Sequence, residues 1–155
     1  WLGAGGSTEL EQAKPVRAEF VLRLDQRRRV STRYLAKQLS KGQLPVSIDT
    51  RSLAEYQGDS YDYQPRTGHM PHSKHLTYES LFRADGRFVQ AKEFLALVTA
   101  EAFDCPTLMT YCEVGVRAST YALLLEAYTG RVLPVYDGSV MEWGANKALP
   151  LLKSD

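Results

Sequence analysis

Short apolar runs alternate with stretches of helical period along most of the chain. The apolar runs predict strands at residues 20–24, 45–49, 75–77 and 132–136, and a further strand that begins at Met109 and ends at Cys112. Apolar residues spaced three or four apart predict helices from Ser31 to Gly42, at residues 93–103, after Cys112, and through Trp143. This alternation predicts an α/β fold with an open, mostly parallel sheet and helices on both faces.

The strand that ends at Cys112 leads through a short turn into a helix with apolar positions at Ala118, Tyr121, Ala122 and Leu125. The first amides of a helix lack partners within the helix and carry partial positive charge. Gly115 allows the turn to direct further N–H groups inward. A thiol in this position is stabilised as the nucleophilic thiolate, so Cys112 is the candidate catalytic residue. The alternative is that Cys112 is a small buried hydrophobic residue, as most free cysteines are.

The composition excludes some classes of partner. The 155 residues are enough for a single domain that buries its own core. Nineteen Lys and Arg residues against 18 Asp and Glu give a net charge of +1, which offers no electrostatic basis for binding nucleic acid or a membrane surface. The sequence has no apolar run long enough to span a bilayer and no signal-peptide pattern. We expect no nucleic-acid partner and no membrane, and no pattern calls for a cofactor.

The two cysteines, Cys105 and Cys112, are too few for a disulfide framework and show no zinc-ligand spacing. This scarcity is typical of a cytoplasmic protein, although a periplasmic location stays open. We expect Cys105 to be a structural or idle thiol. The alternative, a resolving cysteine, requires the two sulfurs to approach to disulfide distance. An extended strand between them, at about 3.3 Å per residue, would hold them apart.

Three histidines lie close together in the sequence, at His69, His72 and His75. Pro71 prevents the helix that would place them on one face, and an extended chain points them in different directions. We therefore expect no metal site.

The segment from Cys112 to Arg117 resembles the active-site loop of rhodanese-like sulfurtransferases, in which a cysteine opens a six-residue loop rich in backbone N–H donors. Three further motifs occur in the order typical of that family, between about Val46 and Trp143. They are Ile48-Asp49-Thr50-Arg51-Ser52 with Glu55, Tyr56 and Gly58, then Gly68-His69-Met70-Pro71, and last Tyr136-Asp137-Gly138-Ser139 with Glu142 and Trp143. The ordered set is more specific than any of its parts, and it implies the family's open α/β fold.

The resemblance implies a sulfurtransferase that moves sulfane sulfur from a donor such as thiosulfate to a thiophilic acceptor, cyanide or a thiol, through a persulfide of Cys112. The implied substrate-binding loop positions are Glu113, Val114, Gly115, Val116 and Arg117. Arg117 is available to hold the anionic end of a donor, because a guanidinium is always charged. The alternative is that Arg117 points into solvent or pairs with Glu113. Arg66 is a further candidate for contacting an anion, with an ordinary surface loop as the alternative.

Four residues are implied to support the site rather than to react: Asp49, Arg51, His69 and Asp137. The first two fall at the C-terminal end of a predicted strand, and the matching residues in the family brace loops through buried hydrogen bonds. The histidine belongs to the family's structural Gly-His-Ile-Pro-Gly-Ala turn, from which this sequence departs at His72 and Ser73. Glu55 stands where two-domain thiosulfate and mercaptopyruvate transferases usually have a substrate-binding arginine, so that anchor is missing here.

Residues 1–18 are rich in Gly, Ala and polar residues and show no sustained period, so we interpret them as a linker or the tail of a preceding domain. Residues 19–155 are interpreted as the rhodanese-like domain. Residues 1–6 resemble the junction that follows the first domain of tandem sulfurtransferases. The chain therefore resembles the catalytic C-terminal half of such a protein, with a preceding rhodanese domain as its partner.

The loop departs from the patterns that would identify the donor. Thiosulfate enzymes of the family tend to carry basic residues after the cysteine and mercaptopyruvate enzymes a Gly-Ser pair, whereas this loop has Glu113 and Val114. The negative Glu113 opposes a dianionic donor, so the identity of the donor stays open.

Two other functions also stay open. A cysteine phosphatase of the same fold needs five residues between its cysteine and arginine, and four separate Cys112 from Arg117. The other is a non-enzymatic rhodanese module that binds a partner or carries sulfur.

Overall fold

The computed structural model describes residues 1–59, 64–98 and 104–153. Its centre is a five-stranded sheet in which all neighbouring strands are parallel, in the order β1-β5-β4-β2-β3. The strands are β1 (Arg29–Val30), β2 (Ser47–Asp49), β3 (Ser73–His75), β4 (Met109–Tyr111) and β5 (Val135–Tyr136). The predicted α/β class and parallel sheet are confirmed.

In the described part of the chain, five α-helices accompany the strands: α1 (Thr32–Ser40), α2 (Leu53–Gln57), α3 (Ala91–Leu97), α4 (Val116–Thr129) and α5 (Ser139–Ala145). Short 3-10 turns occur at Leu2–Ala4, Gln26–Arg28 and Tyr78–Leu81. The side chain of Ser31 accepts a hydrogen bond from the amide of Tyr34 and so begins α1. Gly130, with φ 74°, ends α4 in the left-handed conformation that glycine tolerates.

The sheet separates two hydrophobic cores because successive strand residues point to opposite faces. Met109 and Tyr111 of β4 pack on one face with Leu35 of α1 and Trp143 of α5. The other face is covered by α3 and α4, with Ile48, Leu108, Phe94, Tyr121, Leu124 and Leu125 in its core. The helices therefore lie on both faces, as predicted. The four apolar positions predicted for α4, namely Ala118, Tyr121, Ala122 and Leu125, are all buried.

The predicted edge strand at residues 20–24 is not formed. Phe20 and Leu22 are 86% and 67% exposed, and the segment has no strand partner. The edge strand is instead β1, where Arg29 pairs with Val135 and Val30 with Tyr136. An apolar run forms a strand only where a neighbouring strand offers hydrogen bonds. The neighbouring strand here is β5, and it pairs with Arg29 and Val30 rather than with residues 20–24. The predicted end of α3 near residue 103 lies outside the described residues.

Residues 1–18 contain no α-helix or strand, and almost all of them are exposed. Among the residues that the structure describes, no helix is both long and apolar enough to cross a membrane.

All five strands run in the same direction, so their carboxyl ends lie at one edge of the sheet. In the register, Asp49 pairs with both His75 and Tyr111, and Thr110 pairs with Val135. The turns that follow β2, β4 and β5 therefore meet at this edge. Open parallel sheets place their functional groups at such an edge.

Candidate active site

Cys112 follows β4 directly and begins the loop that leads into α4. The residue is 1% exposed, so its thiol lies beneath the surface of the loop. The main-chain N–H of Gly115 donates a hydrogen bond to Cys112 Sγ at 3.1 Å. An amide aimed at the sulfur stabilises negative charge there, and the positive end of the 14-residue α4 adds to this effect. The loop is therefore built to hold a thiolate or another sulfur anion.

Gly115 is required by the shape of the loop. Its φ is 88°, a conformation that side chains disfavour. A Cβ atom at this position would also lie 2.9 Å from Asp137 Cα, which is closer than carbon atoms tolerate. Glycine therefore allows the loop to turn its amide toward the sulfur while passing against the end of β5.

The start of α5 holds the loop from the other side. The main-chain N–H of Cys112 donates to Ser139 Oγ at 3.1 Å, and the hydroxyl of Ser139 donates to the carbonyl of Tyr136 at 2.8 Å. The amides of Val140 and Met141 donate to the carbonyls of Cys112 and Glu113 at 3.3 and 3.2 Å. Ser139 is fully buried and has φ 49°. The motif that contains Ser139 indicates no role for it, because its partner Cys112 lies 27 residues earlier in the chain.

Arg117 forms a two-pronged ion pair with Glu55. Its Nη1 and Nη2 atoms each lie 2.8 Å from a different carboxylate oxygen of Glu55, and Nη2 lies 3.7 Å from Oε2 of Glu113. Hydrogen bonding to Glu55 raises the pKa of Arg117 above its ordinary value. Burial by itself would raise the pKa of Glu55, but the Arg117 guanidinium and the Ser52 backbone amide hold it below 4.5. Both groups are therefore charged at neutral pH.

The main partner of Arg117 was not found from the sequence, in which Glu55 lies 62 positions earlier. From the sequence alone, the alternatives to a substrate contact for Arg117 are solvent and Glu113. In the structure the contact of Arg117 with Glu113 is the longer one, and both terminal nitrogens of the guanidinium are hydrogen-bonded to Glu55. Glu113 and Arg117 thus lie together beside Cys112.

Asp49 and Arg51 form a buried ion pair at the end of β2. Arg51 Nη2 lies 2.6 Å from Asp49 Oδ2, and both side chains are fully buried. Arg51 also donates to the carbonyl of Gly68 at 2.9 Å and to Gln64 Oε1 at 3.1 Å. Burial by itself would lower the pKa of Arg51, but its contact with Asp49 raises it. These contacts brace the segment around Gly68 against the sheet.

The three histidines each bond to a different carbonyl. His69 Nδ1 lies 2.7 Å from the carbonyl oxygen of Tyr56, on whose ring the imidazole is stacked at 3.9 Å. His72 Nδ1 is 3.2 Å from the carbonyl oxygen of Leu44, and His75 Nε2 is 2.8 Å from that of Arg51. In the part of the chain that the structure describes, no cluster of His, Cys, Asp or Glu side chains could hold a metal ion.

Arg66 lies at the end of α5, where its guanidinium donates to three backbone carbonyls. Nε lies 2.9 Å from the carbonyl oxygen of Gly144, and Nη2 lies 3.0 Å from that of Asn146 and 2.6 Å from that of Leu149. Nε and Nη2 of this guanidinium are therefore engaged by the backbone, and the predicted anion contact of Arg66 stays a prediction. Arg66 caps the helix and the turn that follows it.

Asp137 lies where β5 ends and α5 begins. Its Oδ1 accepts a hydrogen bond from the amide of Gly138 at 3.1 Å, and its Oδ2 lies 2.7 Å from Arg29 Nε. The residue therefore links the edge strand β1 to the turn that supports Gly115.

A groove of about 620 Å³ lies against the outer side of the loop. Its lining includes Val114, Gly115 and Val116, and Val114 and Val116 are 51% and 70% exposed. The ion pairs of Arg28 with Glu126 and of Arg29 with Asp137 also line it. The groove borders the loop positions, whereas Cys112 is not part of its lining and is 1% exposed.

Cys105 and Cys112 are both free thiols. Cys105 is half-buried, packs against the core next to α4, and lies 3.7 Å, sulfur to oxygen, from Thr107 Oγ1. The strand β4 lies between the two cysteines in the chain.

The family model described as "Rhodanese-like domain" matches residues 31–146. Three curated relatives illustrate the range. The mitochondrial thiosulfate/3-mercaptopyruvate sulfurtransferase 1 of Arabidopsis thaliana is 32% identical over 67% of this chain and 28% of its own length. The sulfur carrier protein TtuD of Thermus thermophilus is 30% identical over 70% and 41%. The thiosulfate sulfurtransferase of Gallus gallus is 24% identical over 92% and 50%.

Among solved structures, one of EanB in a persulfide state with ergothioneine matches with a TM-score of 0.82 at 20% identity, covering 100% of this chain and 40% of EanB. At this identity the match shows the fold alone. The chain spans half or less of the length of the three curated relatives.

Proposed function

The chain belongs to the rhodanese-like domain family, and from this premise we propose that it is a sulfurtransferase that carries sulfane sulfur on Cys112. The observation that carries the proposal is the hydrogen bond from the Gly115 amide to Cys112 Sγ, at the junction of β4 and α4. It stabilises a sulfur anion at the end of a strand and the start of a helix. Sulfurtransferase names among the relatives support the same activity.

In the first step the Cys112 thiolate attacks the outer sulfur of a sulfane donor such as thiosulfate. A bond forms between Sγ and that sulfur, while the sulfur–sulfur bond of the donor breaks and its electron pair leaves with sulfite. The products are a Cys112 persulfide anion and sulfite, so total charge is conserved and no outside oxidant is needed. The proposed substrate contacts are the loop amides from Glu113 to Arg117, which would stabilise the negative charge on the outer sulfur of the persulfide.

In the second step a thiophilic acceptor, cyanide or a thiolate, attacks the outer sulfur of the persulfide. The new bond forms on the acceptor, the persulfide bond breaks, and its electron pair returns to Cys112 as the thiolate. With cyanide the product is thiocyanate. The Gly115 amide contacts the sulfur of Cys112 and stabilises the regenerated thiolate, so the same hydrogen bond acts in both steps.

The relatives extend well beyond this chain, and we propose that it acts as the C-terminal domain of a tandem protein. Residues 1–18, which contain no α-helix or strand, serve as the linker to a preceding rhodanese domain. The whole protein's substrates and partners would then depend on both domains.

A second candidate function is sulfur carriage between proteins. The observation that favours it is the similarity to a relative named as a sulfur carrier protein. The chemistry of loading Cys112 would be the same, with a protein thiol as the acceptor. A phosphatase is disfavoured, because Arg117 is held by Glu55 and only four residues separate it from Cys112.

The test is intact-mass spectrometry of the protein after exposure to thiosulfate, and separately to 3-mercaptopyruvate. We expect a gain of one sulfur, about 32 Da, that cyanide or a reductant removes. The Cys112→Ser variant should gain nothing, and the Cys105→Ser variant should behave as the parent. No gain with either donor, or a gain that survives in Cys112→Ser, would contradict the proposal.

A further inference from the structure

Three ionised side chains meet beside the Cys112 loop: Glu55, Glu113 and Arg117. Two carboxylates and one guanidinium leave one negative charge uncompensated. Glu79 lies near the same group. Its pKa is lowered chiefly by hydrogen bonding to the Thr77 hydroxyl, and Arg117 lowers it further. The surroundings of the thiol are therefore acidic although they contain an arginine.

Arg117 is not free to receive an anion. Both terminal nitrogens of the guanidinium contact Glu55 at 2.8 Å, and Nη2 also lies 3.7 Å from Oε2 of Glu113. An anionic substrate would have to replace Glu55, whose side chain is 5% exposed. Displacement would leave a buried carboxylate without its partner, which is strongly unfavourable.

Glu55 is also fixed from its own helix. The amide of Ser52 donates to Glu55 Oε2 at 2.9 Å, and the Ser52 side chain accepts from the amide of Glu55, which forms a capping box at the start of α2. The carboxylate therefore cannot swing aside to release Arg117 without opening the first turn of the helix.

We propose that Glu55 sets the donor class of this site. By occupying Arg117 it makes the approach to Cys112 unfavourable for dianions, so the preferred sulfur donors are persulfides of neutral or cationic thiols, and thiosulfate is a slow donor. This inference rests on the proposed sulfurtransferase function. A persulfide R–S–SH gives up its outer sulfur to the Cys112 thiolate and leaves as R–S⁻, so the step is balanced without a further reactant.

The test uses Glu55→Gln, because glutamine keeps the capping box while removing the charge. Glu93→Gln is the matched control, since Glu93 holds the same position in the capping box of α3 but is exposed and distant in sequence from the loop. All variants carry Cys105→Ala, so that Cys112 is the single thiol. Each is alkylated with iodoacetamide, which is neutral, and with iodoacetate, which is anionic.

We expect Glu55→Gln to raise the iodoacetate rate roughly five- to tenfold relative to the iodoacetamide rate, the size of one partly screened charge interaction. The Glu93→Gln ratio should match the parent. The double variant Glu55→Gln/Arg117→Gln has the parent's net charge at these positions, so its ratio should return toward that of the parent. In persulfide loading, Glu55→Gln should increase kcat/KM for thiosulfate by at least as large a factor and lower kcat/KM for cysteamine persulfide, a cationic donor, because the removed charge acts on the two donors with opposite sign.

An unchanged alkylation ratio in Glu55→Gln, or an equal rise for both reagents, would overturn the inference, as would a parent that prefers thiosulfate to cysteamine persulfide. The alkylation arm does not depend on sulfur transfer. If the ratio changes as expected but no donor loads Cys112, the proposed function fails while the charge selectivity assigned to Glu55 stands.

Discussion

Ser139 should hold the Cys112 loop in place through its hydrogen bonds, and replacing it should measure how much these bonds contribute to the free energy of unfolding. Ser139→Ala removes the acceptor of the Cys112 amide, at 3.1 Å, and the donor to the Tyr136 carbonyl, at 2.8 Å. Ser139 is fully buried and Cys112 is 1% exposed, so water cannot replace these bonds without opening the site. Each buried polar group left without a partner costs about 1–3 kcal/mol, and two groups are affected, so we expect the variant to lose about 2–6 kcal/mol of unfolding free energy.

The backbone conformation of Ser139 supplies an internal check. Its φ of 49° is unfavourable for a residue with a Cβ atom by about 1–2 kcal/mol. Ser139→Gly loses the same two hydrogen bonds but relieves this strain, so it should be about 1 kcal/mol more stable than Ser139→Ala.

The measurement is urea unfolding followed by circular dichroism, with Ser40→Ala as the control. The Ser40 hydroxyl also donates to a carbonyl, that of Lys37, but it is exposed, so its loss should change stability by no more than about 0.5 kcal/mol. Native-state hydrogen exchange should show faster exchange of the Cys112 amide in Ser139→Ala. A Ser139→Ala variant as stable as the parent, or an Ala variant more stable than the Gly variant, would refute this account of the loop.

Two further predictions concern the loop and its ion pair. Gly115→Ala should destabilise the protein by about 2 kcal/mol or more and slow alkylation of Cys112, because residue 115 has a left-handed conformation and its new Cβ would lie 2.9 Å from Asp137 Cα. Urea unfolding and the alkylation rate of Cys112 measure the two effects, and a variant with the stability and alkylation rate of the parent would contradict this prediction. The pKa of Glu55 is lowered in the folded protein, so its contribution to stability is present above about pH 4.5 and is lost as the pH falls through the folded pKa. The unfolding free energy of the parent should therefore fall more steeply below pH 4.5 than that of Glu55→Gln, and parallel profiles would show that the ion pair contributes nothing.

The prediction at residues 20–24 was wrong, and it shows that an apolar pattern by itself does not determine where a strand forms. Phe20, Val21, Leu22 and Leu24 have the composition of a strand, yet they are exposed, and β1 forms at Arg29–Val30 instead. A strand needs a partner with free N–H and C=O groups as well as suitable side chains, and the position of β5 decides which residues meet it. The position of Arg66 has a similar origin, since the carbonyls that it contacts lie about 80 residues later in the chain.

The sequence by itself determined what depends on neighbours along the chain. The strand before Cys112, the turn at Gly115 and the apolar face of α4 follow from period, glycine geometry and helix start signals, all of which act within a few residues. The order of strands and helices also indicated the fold class.

Only the tertiary structure decided which distant groups meet. The bond from Cys112 to Ser139 and the ion pair of Arg117 with Glu55 join residues 27 and 62 positions apart. Such contacts exist because parallel strands bring the turns after β2, β4 and β5 to one edge of the sheet, and local sequence carries no record of that register. The candidate nucleophile, Cys112, could therefore be named from the sequence, whereas the charged groups beside its loop became apparent only in the tertiary structure.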